Sequence, residues 1–352
     1  MHTPKLIPAL LAGIILLTAC APQTAAPAST PVLRVMVHDS FSLSEPVVKA
    51  FEDENQVKLE FIKAGDAGSA LNRAILTKNA PQADVFYGVD NSFLSRAIRE
   101  GIFESYDSPL LSAIPDEFEM DPSHNALPVD YGDVCINYDR AYFAGKNLPL
   151  PEKLEDLTDP QYKGLLVVEN PATSSPGLAF LLMTIKAFGE DHYLDYWKSL
   201  VANGTVIAND WEAAYYTHFS ASSGKGAQPM VLSYSSSPAA EVVFAETPLD
   251  ESPTASILAD GMCYRQVEFV GILKGTAQRA LAEKFVDAML SKSVQEDIPL
   301  QMFVYPVNAE ATLPEAFVKY AQTAQNPVTF DPALLDSNRE KYLQDWANNI
   351  QP

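Results

Sequence analysis

Five aromatic residues stand where the sequence places strand ends and helix starts: Trp211, Tyr215, Tyr234, Phe303 and Tyr305. Carboxylates and hydroxyls occupy similar positions, among them Asp39, Ser40, Asp66 and Asp90. Rings of this kind grip a flat partner by stacking, and a neighbouring carboxylate answers a positive charge on it. Taken alone, each ring is more often a core residue than a ligand contact. Their gathering at element ends is what points to binding. Two serine-rich stretches offer a second chemistry. Thr173-Ser174-Ser175 leads into the apolar run 178–188, and Ser235-Ser236-Ser237 follows Met230–Tyr234. Hydroxyls and free N–H groups at a helix start hold an anion such as a phosphate. Plain N-capping accounts for the same residues equally well.

Other chemistries find no support. Beyond the first 19 residues the histidines are His38, His124, His192 and His218, with no H-x-x-H or H-E-x-x-H pair for zinc. There is no G-x-S-x-G elbow, and no cysteine–histidine arrangement suggests a nucleophile. Ser223-Gly224-Lys225-Gly226 is too short for a phosphate-cradling loop and reads as a turn. No catalytic residue, resident metal or cofactor is expected, and so no enzyme. A net charge of -21 argues against nucleic acid and leans toward a cationic ligand. With 352 residues, 47% of them hydrophobic, the chain has material for two globular lobes.

The N-terminus carries an address. A basic start at residues 1–5 and an apolar run at 6–17 make a secretory leader too short to span a membrane. Leu17-Thr18-Ala19-Cys20 resembles the bacterial lipoprotein box. That resemblance implies removal of residues 1–19 and lipidation of Cys20, leaving the protein exported and anchored at the cell membrane, on its periplasmic or extracellular face. Residues 20–32, rich in Pro, Ala and Thr, read as a disordered tether.

The elements that must position the site follow in regular order. Strands at 33–37, 57–62 and 83–88 alternate with helices, a pattern of parallel pairing. Ligands of open α/β sheets sit beyond the carboxyl ends of such strands, here residues 38–40, 65–69 and 88–91. Leu127–Asp139 then leaves this first set, a different set of helices and strands runs to about residue 262, and 264–273 returns. A chain that leaves one lobe, builds another and comes back makes a clamshell with its ligand in the cleft. The expected lobes are 33–130 with 264–310, and 131–263 with 311–352. Cys135 and Cys263 stand beside the two crossovers. Two buried thiols explain them slightly better than a disulfide, which export would also permit.

An ordered set of motifs carries a family resemblance: Asp39-Ser40-Phe41, the run from Asp66 to Arg73, Ala83-Asp84-Val85, Asp90-Asn91 and Asp130-Tyr131-Gly132. Thr173-Ser174-Ser175-Pro176-Gly177, Trp211, Leu232-Ser233-Tyr234, Ser237-Pro238-Ala239, Gln266-Val267-Glu268 and Tyr305-Pro306-Val307 continue it over nearly all the mature chain. Together they resemble the thiamine-binding receptors of ABC importers. The resemblance implies the type II periplasmic-binding protein fold, two-lobed α/β with parallel-rich sheets and crossover strands at the hinge. It also implies a monomer that delivers thiamine, a thiamine phosphate or a related pyrimidine to an ABC permease. By position, Asp66, Trp211 and Tyr234 would contact the rings, and Ser174 and Ser175 a phosphate. The full expected set adds His38, Asp39, Ser40, Ala67, Asp90, Tyr215, Ser236, Phe303 and Tyr305. Such receptors commonly carry Tyr, Trp and Tyr where this chain has His38, Phe303 and Ala240, and a Trp shortly after the first strand finds no counterpart at 42–45, so the expected aromatic cage is thinner. Ferric iron or another small ion, on the same fold, is the alternative ligand. Tyr215-Tyr216, His38 and Asp90 supply the residue types of an iron receptor, although that family's tyrosines stand where Ser235-Ser236 stand here.

Overall fold

The computed structural model describes residues 30–222, 226–330 and 332–350, without the side chains of 332 and 333. The expectations for the leader, Cys20 and most of the tether, and for the turn at 223–225, lie outside the described residues. Three strand–helix units come first: β1 (Val32–Val37) and α1 (Glu45–Asn55), β2 (Lys58–Lys63) and α2 (Ala67–Leu76), β3 (Val85–Asp90) and α3 (Leu94–Glu100). Helix α1 begins with Ser44 at its N-cap and a proline in its first turn, and stops at Gln56 in left-handed backbone. A short β4 (Phe103–Glu104) precedes the 13-residue β5 (Leu127–Asp139) and α4 (Arg140–Lys146). The next set holds β6 (Leu166–Glu169), α5 (Ser175–Phe188), α6 (Tyr193–Ala202), β7 (Val206–Ala208), a π-helical turn (Ala213–His218), β8 (Met230–Tyr234), α7 (Ser237–Val243) and β9 (Thr254–Ile257). The chain returns through β10 (Cys263–Leu273), α8 (Arg279–Leu290), α9 (Lys292–Gln301), β11 (Tyr305–Pro306), α10 (Glu315–Tyr320) and α11 (Pro332–Ile350).

One curled sheet runs β2-β1-β3-β10-β5-β8-β6-β7, with β4 beside β10 and both β9 and β11 beside β5. Its two ends are parallel, β2-β1-β3 and β8-β6-β7. Its middle is antiparallel, because β5 leaves the first end and β10 comes back along it. This is the mixed α/β architecture expected, with the two long strands as the crossovers. Helix α5 is buried from Ser175 through Ile185, as a run apolar on all sides requires. Helix α11 stands against α6 through Trp346 and Trp197, 5.4 Å apart, and against α3 through Arg96–Glu340 (3.8 Å) and Arg99–Asp336. It therefore touches both α6 and α3.

Cys135 and Cys263 face each other in register across β5 and β10, Cα atoms 4.4 Å apart, and form a disulfide. That spacing is the close one of an antiparallel ladder, which a disulfide can span. Free thiols were the slightly better reading of a sequence in which the partners are 128 residues apart. Two residues along the same ladder, the buried Asp133 pairs with Arg265, whose guanidinium lies 4.9 Å over the Tyr131 ring. The crossover is thus tied covalently and ionically.

Candidate ligand-binding cleft

A cavity of about 340 Å³ opens between the two ends of the sheet, with one wall from the segment after β1 and the start of α2, and the other from α5, the π-helical turn and α7. The second wall is aromatic. Trp211 and Tyr215 stack at 5.0 Å and 19°, and Tyr216 stands edge-on to both. Their polar atoms are already committed: Trp211 Nε1 donates to Ser233 Oγ (2.9 Å) and the Tyr215 hydroxyl to Glu241 Oε1 (2.6 Å). The Tyr234 ring lies so close to β5 that a Cβ on Gly132 would come within 2.8 Å of its Cδ1. Gln266 Nε2 donates to its hydroxyl at 3.1 Å. Phe303 sits in left-handed backbone (φ 56) and its carbonyl accepts from the Ser236 hydroxyl. A bulky residue there is strained, and such strain collects at functional sites.

The opposite wall is acidic. Asp90, Glu268 and Asp130 fall in one row across β3, β10 and β5, paired in register, and a bulge follows Glu268 in β10. Behind the cavity the Tyr87 hydroxyl donates to Asp130 Oδ2 (2.6 Å), with Glu268 Oε2 at 3.1 Å. In front, His38 Nε2 lies 3.6 Å from Glu268 Oε1, an ion-pair distance rather than a hydrogen bond. His38 packs on Gly88 (φ 104), where a Cβ would meet its ring at 2.5 Å. Burial, reinforced by the charge on Glu268, drives Asp130 well above the carboxylate range, so it is the protonated partner. Burial pushes Glu268 up too, but His38 and hydrogen bonds from Asp130 and Tyr87 bring it net below its usual value. Burial lowers His38, and Glu268, Asp66 and Asp39 more than offset that, leaving it raised above 6.5. Asp66 caps α2 through Ala67 N (2.8 Å) while its Oδ2 has no protein partner. Burial raises its pKa.

Nine of the fourteen expected residues line the cavity: His38, Asp39, Ser40, Asp66, Ser175, Trp211, Tyr215, Tyr234 and Phe303. Five do not. Ala67 is buried inside the first turn of α2. Asp90 is buried and accepts from Ser92, Phe93 N and the Ser175 hydroxyl, and burial lifts its pKa to about 7. Ser174 is fully buried, its Oγ beside Asp66 but short of hydrogen-bond geometry. Ser236 is spent on the Phe303 carbonyl, and Tyr305 stacks on Tyr131 at 5.3 Å, away from the cavity. The serine runs therefore do not present the expected hydroxyl cluster: Ser175 turns to Asp90, and Ser237 lies 2.9 Å from Ser233. The cavity also takes in residues not expected, notably Phe41, Lys63, Tyr216, Phe244 and Glu268. Glu268 had a signal in the motif Gln266-Val267-Glu268; Phe244 had none, lying in a segment with no clear periodicity.

Stacked rings facing buried acids suit a flat organic cation: stacking and cation–π attraction hold the ring, and the carboxyls take its donors. Among the described residues no group of three or more His, Cys, Asp or Glu could hold a metal ion. Residues 80–325 match the model of a family described as bacterial extracellular solute-binding protein. The chain is 31% identical over 325 residues to the thiamine-binding periplasmic protein of Escherichia coli (strain K12), spanning 91% of this chain and 94% of that one. A solved periplasmic thiamin binding protein superposes with a TM-score of 0.79 at 29% identity, covering 93% of this chain and 98% of its own. A periplasmic binding protein from Actinobacillus pleuropneumoniae with fructose-6-phosphate bound matches with a TM-score of 0.79 at 23% identity, covering 92% and 99%, a likeness of fold.

Proposed function

The chain belongs to the bacterial extracellular solute-binding protein family, whose members serve ABC importers, and from that premise we propose that its cleft captures thiamine. The observation that carries this reading is the pairing of the Trp211–Tyr215 stack with Asp66 Oδ2, which has no hydrogen-bond partner, in one cavity. Thiamine is two flat rings, one a permanent cation and the other bearing an amino group. The aromatic wall takes the rings and Asp66 accepts from the amine. The relatives named for thiamine, at 31% and 29% identity, support the same ligand. Ferric iron fits less well: the Tyr215 hydroxyl is already donated to Glu241 Oε1 (2.6 Å) and its ring is stacked on Trp211. The lobes 33–130 with 264–310 and 131–263 with 311–352 close on the ligand, α11 of the second touching α3 of the first. Of the three tryptophans only Trp211 lines the cavity, the other two being core residues. Thiamine is therefore expected to quench Trp211 emission saturably, with the signal lost in Trp211→Phe. Quenching by ferric citrate and not by thiamine would refute the reading.

Delivery to a permease calls for a membrane address, and Cys20 supplies it as a lipidated residue with residues 1–19 removed. Two acyl chains hold a protein stably at a bilayer. Cys20→Ser is expected to release the protein into the soluble fraction; unchanged membrane association would contradict the anchor.

A further inference from the structure

Phe244 is a large apolar side chain that is 70% exposed and yet lines the cavity. It sits at the C-cap of α7, one turn beyond Ala240, which lines the same wall with only a methyl group. Its ring stands 5.1 Å from Phe303 at 60°, and behind Phe303 the buried Phe317 stacks at 6.1 Å and 25°. Three rings thus run in file from the core to the cavity mouth. The middle one is fixed, since Phe303 is held in left-handed backbone with its carbonyl accepting from Ser236. The outermost remains bare. Apolar surface in that position gains only when something apolar covers it.

We propose that Phe244 is a specificity-determining binding residue, the rim ring that closes over one face of the bound heterocycle. This rests on the reading of the cleft as a site for a flat organic cation. A bare ferric ion offers no ring face to cover and would leave Phe244 wet. The ring therefore selects for heterocycles. Because its own surface is mostly in water, it contributes little to the fold, and truncation is expected to separate binding from stability.

The test is calorimetric titration of the mature protein with thiamine, for wild type, Phe244→Ala, Phe244→Leu and Phe244→Tyr, with the melting temperature of each ligand-free protein alongside. Phe244→Ala is expected to weaken thiamine about tenfold or more, as loss of an aromatic anchor does. Phe244→Leu should fall in between and Phe244→Tyr should bind like wild type, all four melting together. Wild-type affinity in Phe244→Ala would overturn the assignment while leaving the thiamine reading intact. Absence of thiamine binding by the wild type would overturn both. A parallel loss of affinity and melting temperature in Phe244→Ala would also count against it, since the ring would then be supporting the fold.

Discussion

On the aromatic wall, Trp211, Tyr215 and Tyr234 have their polar atoms satisfied by Ser233, Glu241 and Gln266, and only ring surface remains on offer. On the acidic wall, Asp66 Oδ2 has no hydrogen-bond partner and His38 Nε2 has only the 3.6 Å ion-pair contact with Glu268 Oε1. One wall is complete before the ligand arrives, and the other waits for it. The difference divides the work. A pre-satisfied aromatic surface gains stacking and dispersion energy without giving up hydrogen bonds, so it supplies affinity. A buried acid short of a partner costs free energy until a donor meets it, so it supplies orientation and discrimination. It also couples binding to protons, because the same burial raises its pKa.

Removing the centre of the aromatic wall is expected to have the largest effect. Trp211→Ala should cost about 2–4 kcal/mol of thiamine affinity, measured by calorimetry, as buried aromatic anchors do. A loss below about 0.5 kcal/mol would move the affinity to the acids and invert the comparison. Next comes Asp66→Asn, which keeps the shape and loses the charge. It should weaken thiamine by about 1.5–3 kcal/mol, the range of a hydrogen bond to a charged group. A larger loss than that of Trp211→Ala would mean that orientation and affinity are not divided between the walls.

The smallest effect is in proton linkage. Asp66 and His38 have raised pKa values, and that of Asp90 is raised to about 7, so each holds its proton more tightly in the folded state. Their contribution to stability is fully present below the unfolded values, 3.8 for the carboxyls and 6.5 for the imidazole, and is lost as pH rises through the higher folded values. Glu268, lowered overall, works in the opposite sense: its contribution is present above 4.5 and lost as pH falls through its folded value. The melting temperature of the ligand-free protein should therefore slope downward from about pH 6 to about pH 8, through the raised pKa of Asp90 at about 7. Asp90→Asn should flatten that slope. Thiamine affinity should run the other way, rising with pH as Asp66 gives up its proton. Titrations in buffers of different ionisation enthalpy should show net proton release on binding. Proton uptake, or a pH-independent affinity, would show that Asp66 does not meet the cation.

The aromatic wall was the more legible of the two in the sequence. Trp211, Tyr215 and Tyr234 lie at the ends of strands or the starts of helices, and those positions are set by local pattern. The crossover stretch Leu127–Asp139 coincides with the full span of β5. The acidic wall was half hidden. Asp66 could be placed as the residue opening α2, but the weight of Glu268 comes from Asp90 and Asp130 beside it on neighbouring strands. That register is a tertiary fact. Ser174 and Ser236 illustrate the converse: hydroxyls at a helix start look alike in sequence whether they meet a ligand, a carboxylate or a main-chain carbonyl. Cys135 and Cys263 needed the register of β5 and β10 in the same way.

The account stands most directly on one titration: thiamine, ferric citrate and fructose-6-phosphate, each added by calorimetry to protein unfolded, stripped of small molecules and refolded with its Cys135–Cys263 disulfide intact. Saturable one-to-one binding of thiamine, with no comparable heat from the other two, is the expected result. No heat from thiamine together with saturable binding of ferric citrate or fructose-6-phosphate would contradict it.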